Sequence, residues 1–309
     1  MKYSDFHRSS AWHSALFRWG HTLVLATLIT SFGCAEDDAN TTLSASGIGN
    51  ENPTCAMATW TRLPMIHVGA TVEVVAPDGL SVQTSIEMGV LSMPSSPLST
   101  TTQLAFNRVG TVTTFVATDG PNCSQSLARM VVEVVDAYPG SAETANYDGV
   151  AMESSELIAW ATGWSMPINY GEEVVELWQT PELAMGPATG NARDIVSLGR
   201  EGQIDLHFDG VIFNGEGPDF AVFENSFSAT FLELGQVSVS SDGANFVDFP
   251  VVYLGTETVD AYGDHDPEIM YGFAGRHQGG EGTPFDLDTL RYESLVTDGI
   301  VDLGNISIV

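Results

Sequence analysis

Two carboxylates bracket an apolar run in the second half of the chain. Residues 217 to 227 read GPDFAVFENSF, with Asp219 at the head of the run and Glu224 near its tail. Successive residues of a strand point to opposite faces, and the FAVF segment between the acids is apolar on both. This pattern predicts a buried central strand with Glu224 leaving it on a buried face.

A buried Glu224 must be neutralised, because an unpaired buried carboxylate costs several kcal/mol or takes up a proton. The only lysine in the chain is Lys2, far away in sequence. Three partners remain open: a backbone N–H group, a metal ion or an arginine. The arginines nearest in sequence are Arg193, Arg200, Arg276 and Arg291.

Calcium is the metal that suits this half of the chain, since it binds six to eight oxygens from carboxylates, amides and carbonyls. The predicted ligands are Glu224, Asn225, Asp264, Asp266, Asp286 and Asp288. In an extended strand Asp219 lies about 16 Å from Glu224 and cannot share its ion, so it is interpreted as a turn or second-site residue. No spacing matches an EF-hand loop, so an arginine or backbone partner for Glu224 stays open.

His277, in AGRHQGG, raises an enzymatic alternative in which Glu224 and Asp286 act as acid and base of a glycan hydrolase. The chain has neither an H-E-x-x-H pair nor a G-x-S-x-G elbow. A lone loop histidine more often orients a hydrogen bond than performs catalysis. The favoured interpretation is therefore non-enzymatic, with His277 as a supporting or ligand-contacting residue.

The composition limits the partners of the protein. Forty acidic residues face ten basic ones, for a formal net charge of -30. Such a field repels a phosphate backbone, so nucleic acid is a poor partner and divalent cations are a good one. The same excess is also explained by solubility in salty surroundings.

The first 54 residues predict export. A basic segment with Lys2, Arg8 and Arg18 precedes the apolar run LVLATLITSFG at 23 to 33, too short to span a bilayer as a helix. Cys34 follows, and small residues before a lone cysteine resemble the lipobox of bacterial lipoproteins. We expect a signal peptide over 1 to 33, lipidation of Cys34 and a polar tether over 34 to 54, which would hold the protein at the bacterial envelope, in the outer membrane or at the cell surface.

Cys55 and Cys123 remain as an even pair if Cys34 carries lipid. In an oxidising compartment a disulfide between them is the expected state, and two free thiols are the alternative.

Residues 55 to 136 alternate with period two. Five runs rich in β-branched residues are separated by Pro, Gly, Asp and Ser, and predict a small antiparallel sandwich. They are TVEVVA at 71 to 76, LSVQTSIEM at 80 to 88, TTQLAF at 101 to 106, GTVTTFVATDG at 110 to 120 and ARMVVEVVDA at 128 to 137. The order of the last two loosely resembles bacterial immunoglobulin-like domains, which mostly act as spacers.

Residues 137 to 193 have a mixed pattern. SSELIAWATGW, at 154 to 164, is compatible with a short helix capped by Ser154 or Ser155. Trp160, Trp164 and Trp178 fall in this segment. They are expected to pack at the seam between domains, with stacking on sugar rings as the alternative.

From Asp194 onward the strand pattern persists, with SDG at 241 to 243 as a hairpin turn. WQTPELAMGPATG, GPDFAVFENSF, YGFAGRHQGGEGTPFDL and VDLGNISIV together resemble an uncharacterised family of bacterial secreted and cell-surface proteins, colinear over roughly 170 to 309. The resemblance implies a jelly-roll or galactose-binding-like β-sandwich over 137 to 309. It also implies a further strand after Val309, so the domain is expected to lack its last strand.

These patterns predict an all-β protein of two sandwich domains behind a signal peptide. The predicted function is an exported, lipid-anchored envelope protein with a calcium-stabilised sandwich that binds a surface glycan or protein. A purely structural envelope lipoprotein and the hydrolase with Glu224 and His277 are the alternatives.

Overall fold

The computed structural model describes residues 12–17, 56–60, 63–88, 91–92, 99–121, 123–144, 146–172, 174–256 and 263–309. In the part of the chain that the structure describes, strands make up 36% of the residues and helices 8%, which confirms the all-β prediction. Within the described part, no helix is long and apolar enough to cross a bilayer.

Residues 56–135 form what we call the first β unit, which contains two sheets. One has the strand order β2-β4-β7 and the other β3-β9-β8-β5-β6. In the five-stranded sheet, β3 runs parallel to β9. The other strand pairs of this unit are antiparallel. The strands are β2 (Thr59–Trp60), β3 (Met65–His67), β4 (Thr71–Val75), β5 (Ser81–Met88), β6 (Leu91–Ser92), β7 (Thr101–Ala105), β8 (Gly110–Gly120) and β9 (Cys123–Val135).

The two sheets of the first β unit enclose one apolar core. Val74 of β4 and Val82 of β5 are fully buried, and so is Val132 of β9. Every second residue of β4 is buried, because alternate side chains of a strand face the same side. All five predicted runs form strands within two residues of their expected starts, except that β9 begins earlier, at Cys123. The predicted disulfide involves Cys55, which lies outside the described residues, as does Cys34.

Residues 137–309 form what we call the second β unit. Its larger sheet has the order β10-β19-β14-β1-β11, in which β1 (Trp12–Phe17) comes from outside this range, and a three-stranded sheet has the order β12-β13-β20. Two short pairs, β15-β16 and β17-β18, complete it. The strands are β10 (Val150–Ala151), β11 (Leu157–Trp160), β12 (Gly163–Trp164), β13 (Leu206–Ile212), β14 (Phe220–Glu224), β15 (Ser238–Val239), β16 (Val247–Asp248), β17 (Val252–Tyr253), β18 (Met270–Tyr271), β19 (Glu281–Phe285) and β20 (Ile306–Ile308).

Short helices connect these strands. Four are 3-10 turns, at Glu176–Trp178, Pro181–Ala184, Pro267–Ile269 and Leu287–Leu290, and one is a single α-helical turn, α1, at Ser294–Thr297. The SDG segment joins β15 to β16 as an antiparallel pair, with Gly243 in the left-handed region at φ 74°. Glycine reaches this conformation without steric cost, so the turn prediction at 241 to 243 is confirmed.

The β14 strand is central, as its sequence predicts. All five of its residues are buried. Phe220 and Val222 face the main core of the second β unit, whereas Ala221 and Phe223 face a smaller cluster with Val150. Both faces of the strand are therefore covered by apolar side chains.

The backbone of β1 (Trp12–Phe17) pairs with β14 over five residues and with β11 on its other side. These six residues are the described part of the predicted signal peptide, 1 to 33. Signal removal would take this strand away from the sheet. Export stays a prediction.

The prediction of a short helix over 154 to 164 was wrong. Leu157–Trp160 and Gly163–Trp164 are strands, and Trp164 pairs with Leu206 of β13. The Ser154 hydroxyl accepts from the Glu156 backbone N–H in a turn rather than capping a helix. Alternative strand partners outweigh the weak local helix preference of so short a segment.

Two of the three tryptophans expected at the seam, Trp160 and Trp164, lie elsewhere. Trp160 packs on Phe223 with ring centroids 5.4 Å apart, and Trp164 packs on the main core of the second β unit. Tyr138 of the second unit contacts the first unit through His67, with ring centroids 6.0 Å apart, and stacks on Tyr271 with centroids 5.4 Å apart. Tyr271 and Val252 of the second unit also pack against the core of the first.

Candidate functional site

Glu224 is buried, as its parity in the strand predicts, with 4% of its surface exposed. The Ser226 hydroxyl lies 3.2 Å from Glu224 Oε2 and donates to it. Gly275 packs closely against the same side chain, since an added Cβ there would lie 3.2 Å from Glu224 Cγ. Arg276, the arginine nearest to this contact, directs its guanidinium to other groups. A hydroxyl and a close backbone are therefore among the groups that surround Glu224.

Asp219 at the other end of β14 organises a turn. Its Oδ1 accepts from the Gly215 backbone N–H at 2.7 Å, and its Oδ2 accepts from that of Leu287 at 2.8 Å. Burial raises the pKa of this carboxyl, and the two backbone donors oppose the shift. Both oxygens are committed to holding the loop before β14 against the start of the Leu287–Leu290 turn.

Asp286 and Asp288 lie at the Asp219 end of β14. The antiparallel register places Phe285 opposite Phe220, so the next residues along β19 approach Asp219. Asp286 Oδ1 accepts from the Asp288 backbone N–H at 2.8 Å. Burial and the neighbouring charges of Asp219 and Asp288 raise the pKa of Asp286 to about 6.

Asp288 has polar partners of its own. Its Oδ1 accepts from Arg291 Nε at 3.0 Å and from Asn214 Nδ2 at 3.3 Å. Both contacts are within the loops at this end of the sheet, so Asp288 helps to fix their geometry.

The remaining predicted ligands make local contacts. Asn225 Nδ2 donates to the Ala192 carbonyl at 3.2 Å, and Asp264 Oδ1 accepts from the Thr230 hydroxyl at 2.9 Å. Asp266 caps the Pro267–Ile269 turn by accepting from the Glu268 N–H. Each contact is one that loop residues use to satisfy nearby backbone or side-chain groups.

The structure does not bring the six predicted calcium ligands together. Glu224 and Asn225 lie at one end of β14, whereas Asp286 and Asp288 lie at the other, about 16 Å away at the rise of an extended strand. The grouping of Glu224 with Asp286 and Asp288 was therefore wrong, because the antiparallel register of β19 reverses their order. In the described part of the chain, no three His, Cys, Asp or Glu side chains are placed to hold one ion. Calcium binding stays a prediction.

The same separation argues against the hydrolase alternative, in which Glu224 and Asp286 act as acid and base. Asp286 and Glu224 are at opposite ends of β14, too far apart to act on one glycosidic bond. His277 is 2% exposed, so its ring is closed off from a substrate.

His277 belongs to a polar cluster that we call the Asp148 cluster, formed by Asp148, Arg276 and His277. Asp148 Oδ2 accepts from Arg276 Nη2 and its Oδ1 pairs with His277 Nε2, each at 2.8 Å. Arg276 is also 2% exposed, and its Nη1 donates to the Pro139 carbonyl at 3.0 Å. Burial alone would raise the pKa of Asp148, but Arg276 and His277 hold it below its usual value.

Aromatic rings surround the Asp148 cluster. The Tyr147 ring meets His277 edge-on at 5.1 Å, and its hydroxyl donates to Glu281 Oε2 at 2.9 Å. The Arg276 guanidinium lies 5.7 Å from the centroid of the Tyr271 ring. Burial raises the pKa of both tyrosines, so they stay neutral. These contacts hold Pro139, Tyr147 and Asp148 against Arg276 and His277, which precede β19.

Sequence reasoning identified His277 and listed Arg276 but missed Asp148, which lies in the loop-like segment AYPGSAETANYDG. Asp148 pairs with Arg276, which is 128 residues away in the sequence. Local residue spacing cannot predict a contact over such a separation. A buried arginine next to a histidine was the available hint, because a buried cation requires a carboxylate.

Comparison of the sequence with protein-family models and with curated proteins found no match. The resemblance to bacterial cell-surface proteins over 170 to 309 and the loose immunoglobulin-like resemblance therefore stay predictions.

Proposed function

We propose that this chain is an exported bacterial envelope protein that acts by binding rather than by catalysis. Residues 1–33 direct export, Cys34 carries a lipid anchor, and residues 34–54 tether the folded part to the membrane. The first β unit is an immunoglobulin-like spacer, and the second is a galactose-binding-like sandwich that contacts a surface glycan or protein.

The non-catalytic proposal rests on one observation: the candidate acid and base side chains are buried or hydrogen-bonded to other protein groups. His277 is buried and held by Asp148, Arg276 is buried with it, and Asp219 spends both oxygens on backbone N–H groups. A general acid or base must reach the proton it transfers. These side chains instead hydrogen-bond to other groups of the protein. Their substitution should therefore change the stability of the fold.

The spacer role of the first β unit is supported by its packing. Two sheets share one core, and two rings of the second unit pack on the first: Tyr138 contacts His67, and Tyr271 packs against that core. A unit attached in this way holds its neighbour at a set orientation, which suits a stalk above a membrane.

Two measurements test this proposal. The full chain and its Cys34→Ser variant are expressed in a bacterial host with radiolabelled palmitate; we expect label and membrane association only with Cys34. Purified protein is then incubated with chromogenic glycosides, and we expect no turnover. Turnover that is lost in Glu224→Gln and His277→Gln would overturn the binding proposal in favour of the hydrolase. Unlabelled protein that stays inside the cell would overturn the export proposal.

A further inference from the structure

A shallow cleft of about 530 Å³ lies where the two β units meet. The first unit contributes one wall, through β2 and β4, and the second contributes the other, through β16 and the segment that follows it. The lining residues are Trp60, Glu73, Val75, Gln236, Asp248, Phe249, Pro250, Val251 and Glu293. A cavity of this size is within the range of small-molecule and oligosaccharide sites.

The chemistry of the lining is an aromatic ring among oxygen acceptors. Trp60 supplies the indole, and three carboxylates and one amide supply the acceptors: Glu73, Asp248, Glu293 and Gln236. A sugar ring has C–H bonds on its faces, which pack on an aromatic face, and hydroxyl groups on its edge, which donate to carboxylates. Rigid amphipathic aromatic side chains are suited to such contacts.

Charge selects the class of glycan. None of the nine lining residues is basic, and the chain as a whole has a formal charge of -30. An acidic or phosphorylated ligand would be repelled at this cleft, because none of its described lining residues is a cation that could pair with it. We propose that the cleft is a binding site for a neutral glycan. This inference deepens the proposed binding function and depends on it.

The two walls are held in place before any ligand arrives. Trp60 packs against the core of the first β unit, and β2 pairs with β4. On the opposite wall, β16 pairs with β15, and Asp248 accepts from the Ser238 hydroxyl across that pair. The Tyr138–Tyr271 stack lies at the same junction. Binding to a preformed cleft avoids the entropic cost of ordering its walls.

The test uses the full chain and isothermal titration with neutral hexasaccharides of glucose and of N-acetylglucosamine, with polygalacturonate as the acidic comparison. We expect at least one neutral glycan to bind and the acidic polymer to remain unbound. Trp60→Ala should weaken that binding at least 10-fold, and Glu73→Gln should weaken it several-fold. Phe213→Ala, at an exposed aromatic residue outside the cleft, is the matched control and should leave affinity unchanged, with thermal melting run on each variant to verify folding.

The outcomes separate the site from the function. Neutral-glycan binding that Trp60→Ala leaves unchanged would overturn the cleft while the proposed binding function survives. Binding of polygalacturonate in preference to the neutral glycans, or of no glycan in the panel, would overturn the ligand class. Cleavage of a bound glycan, detected as new reducing ends, would overturn the non-catalytic function instead.

Discussion

The ring of Tyr138 stacks on that of Tyr271 at an interplanar angle of 26°, with the two centroids 5.4 Å apart. Tyr138 is 1% exposed, and its hydroxyl accepts from the His67 backbone N–H at 3.2 Å. One side chain thus contacts both β units. The Arg276 guanidinium near the Tyr271 ring extends this contact into the Asp148 cluster.

Tyr138→Ala should destabilise the protein by about 3–5 kcal/mol, because it removes a buried aromatic ring at the junction. Tyr138→Phe keeps the ring and loses only the hydroxyl contact, so its cost should be about 0.5–1.5 kcal/mol. Urea denaturation followed by circular dichroism measures both. Equal costs for the two variants would mean that the stack contributes nothing to the junction.

Asp148→Asn should destabilise the protein by about 3–5 kcal/mol, because it leaves the buried Arg276 without its carboxylate. Glu153→Gln, an exposed acid nearby in sequence, is the control and should change the free energy of unfolding by less than about 0.5 kcal/mol. Chemical denaturation at pH 7 measures the difference. A loss below about 1 kcal/mol for Asp148→Asn would contradict the role of this pair.

The Asp148 carboxyl also predicts an acid limit to stability. Its folded pKa is below the unfolded value, so its contribution is fully present above the unfolded pKa of about 4 and is lost as pH falls through the folded pKa. Thermal melting from pH 6 to pH 2 should show stability decreasing below about pH 4. The decrease should be shallower in Asp148→Asn. Parallel curves for the two proteins would exclude Asp148 as a source of acid sensitivity.

The Asp286 carboxyl predicts a pH dependence of stability opposite to that of Asp148. Its folded pKa of about 6 is above the unfolded value, so it favours the folded state at low pH. That contribution is lost as pH rises through about 6. Asp286→Asn should remove this term and gain stability relative to the natural chain between pH 4 and pH 7. Asp298→Asn, an exposed acid, is the control; a gain in the control equal to that of Asp286→Asn would attribute the effect to net charge alone.

The pairing of β1 with β14 predicts that the N-terminal segment stabilises the sheet. A chain that starts at Cys34 lacks the five-residue ladder beside β14 and should melt at a lower temperature than the full chain. The comparison protein lacks only residues 1–11 and keeps Trp12–Phe17, so it should melt at a higher temperature than the chain that starts at Cys34. Identical melting of all three proteins would show that β1 does not support β14.

The sequence by itself determined several of the strands and which side of each is buried, although it predicted a helix where β11 and β12 lie. Period-two alternation in TVEVV predicts β4, and the doubly apolar FAVF segment predicts that β14 is central, because strand geometry assigns alternate side chains to opposite faces. Burial of Glu224 follows from the same parity. These are local rules, so a single sequence suffices.

Only the tertiary structure decided which polar side chains meet. The antiparallel register of β14 and β19 places Asp286 beside Asp219 rather than beside Glu224. Asp148 pairs with Arg276 across 128 residues, and Trp60 lines a cleft together with acids from the other β unit. Long-range pairing depends on how whole sheets pack against one another. Spacing along the chain contains no record of that packing, which is why the strands were predictable and the sites were not.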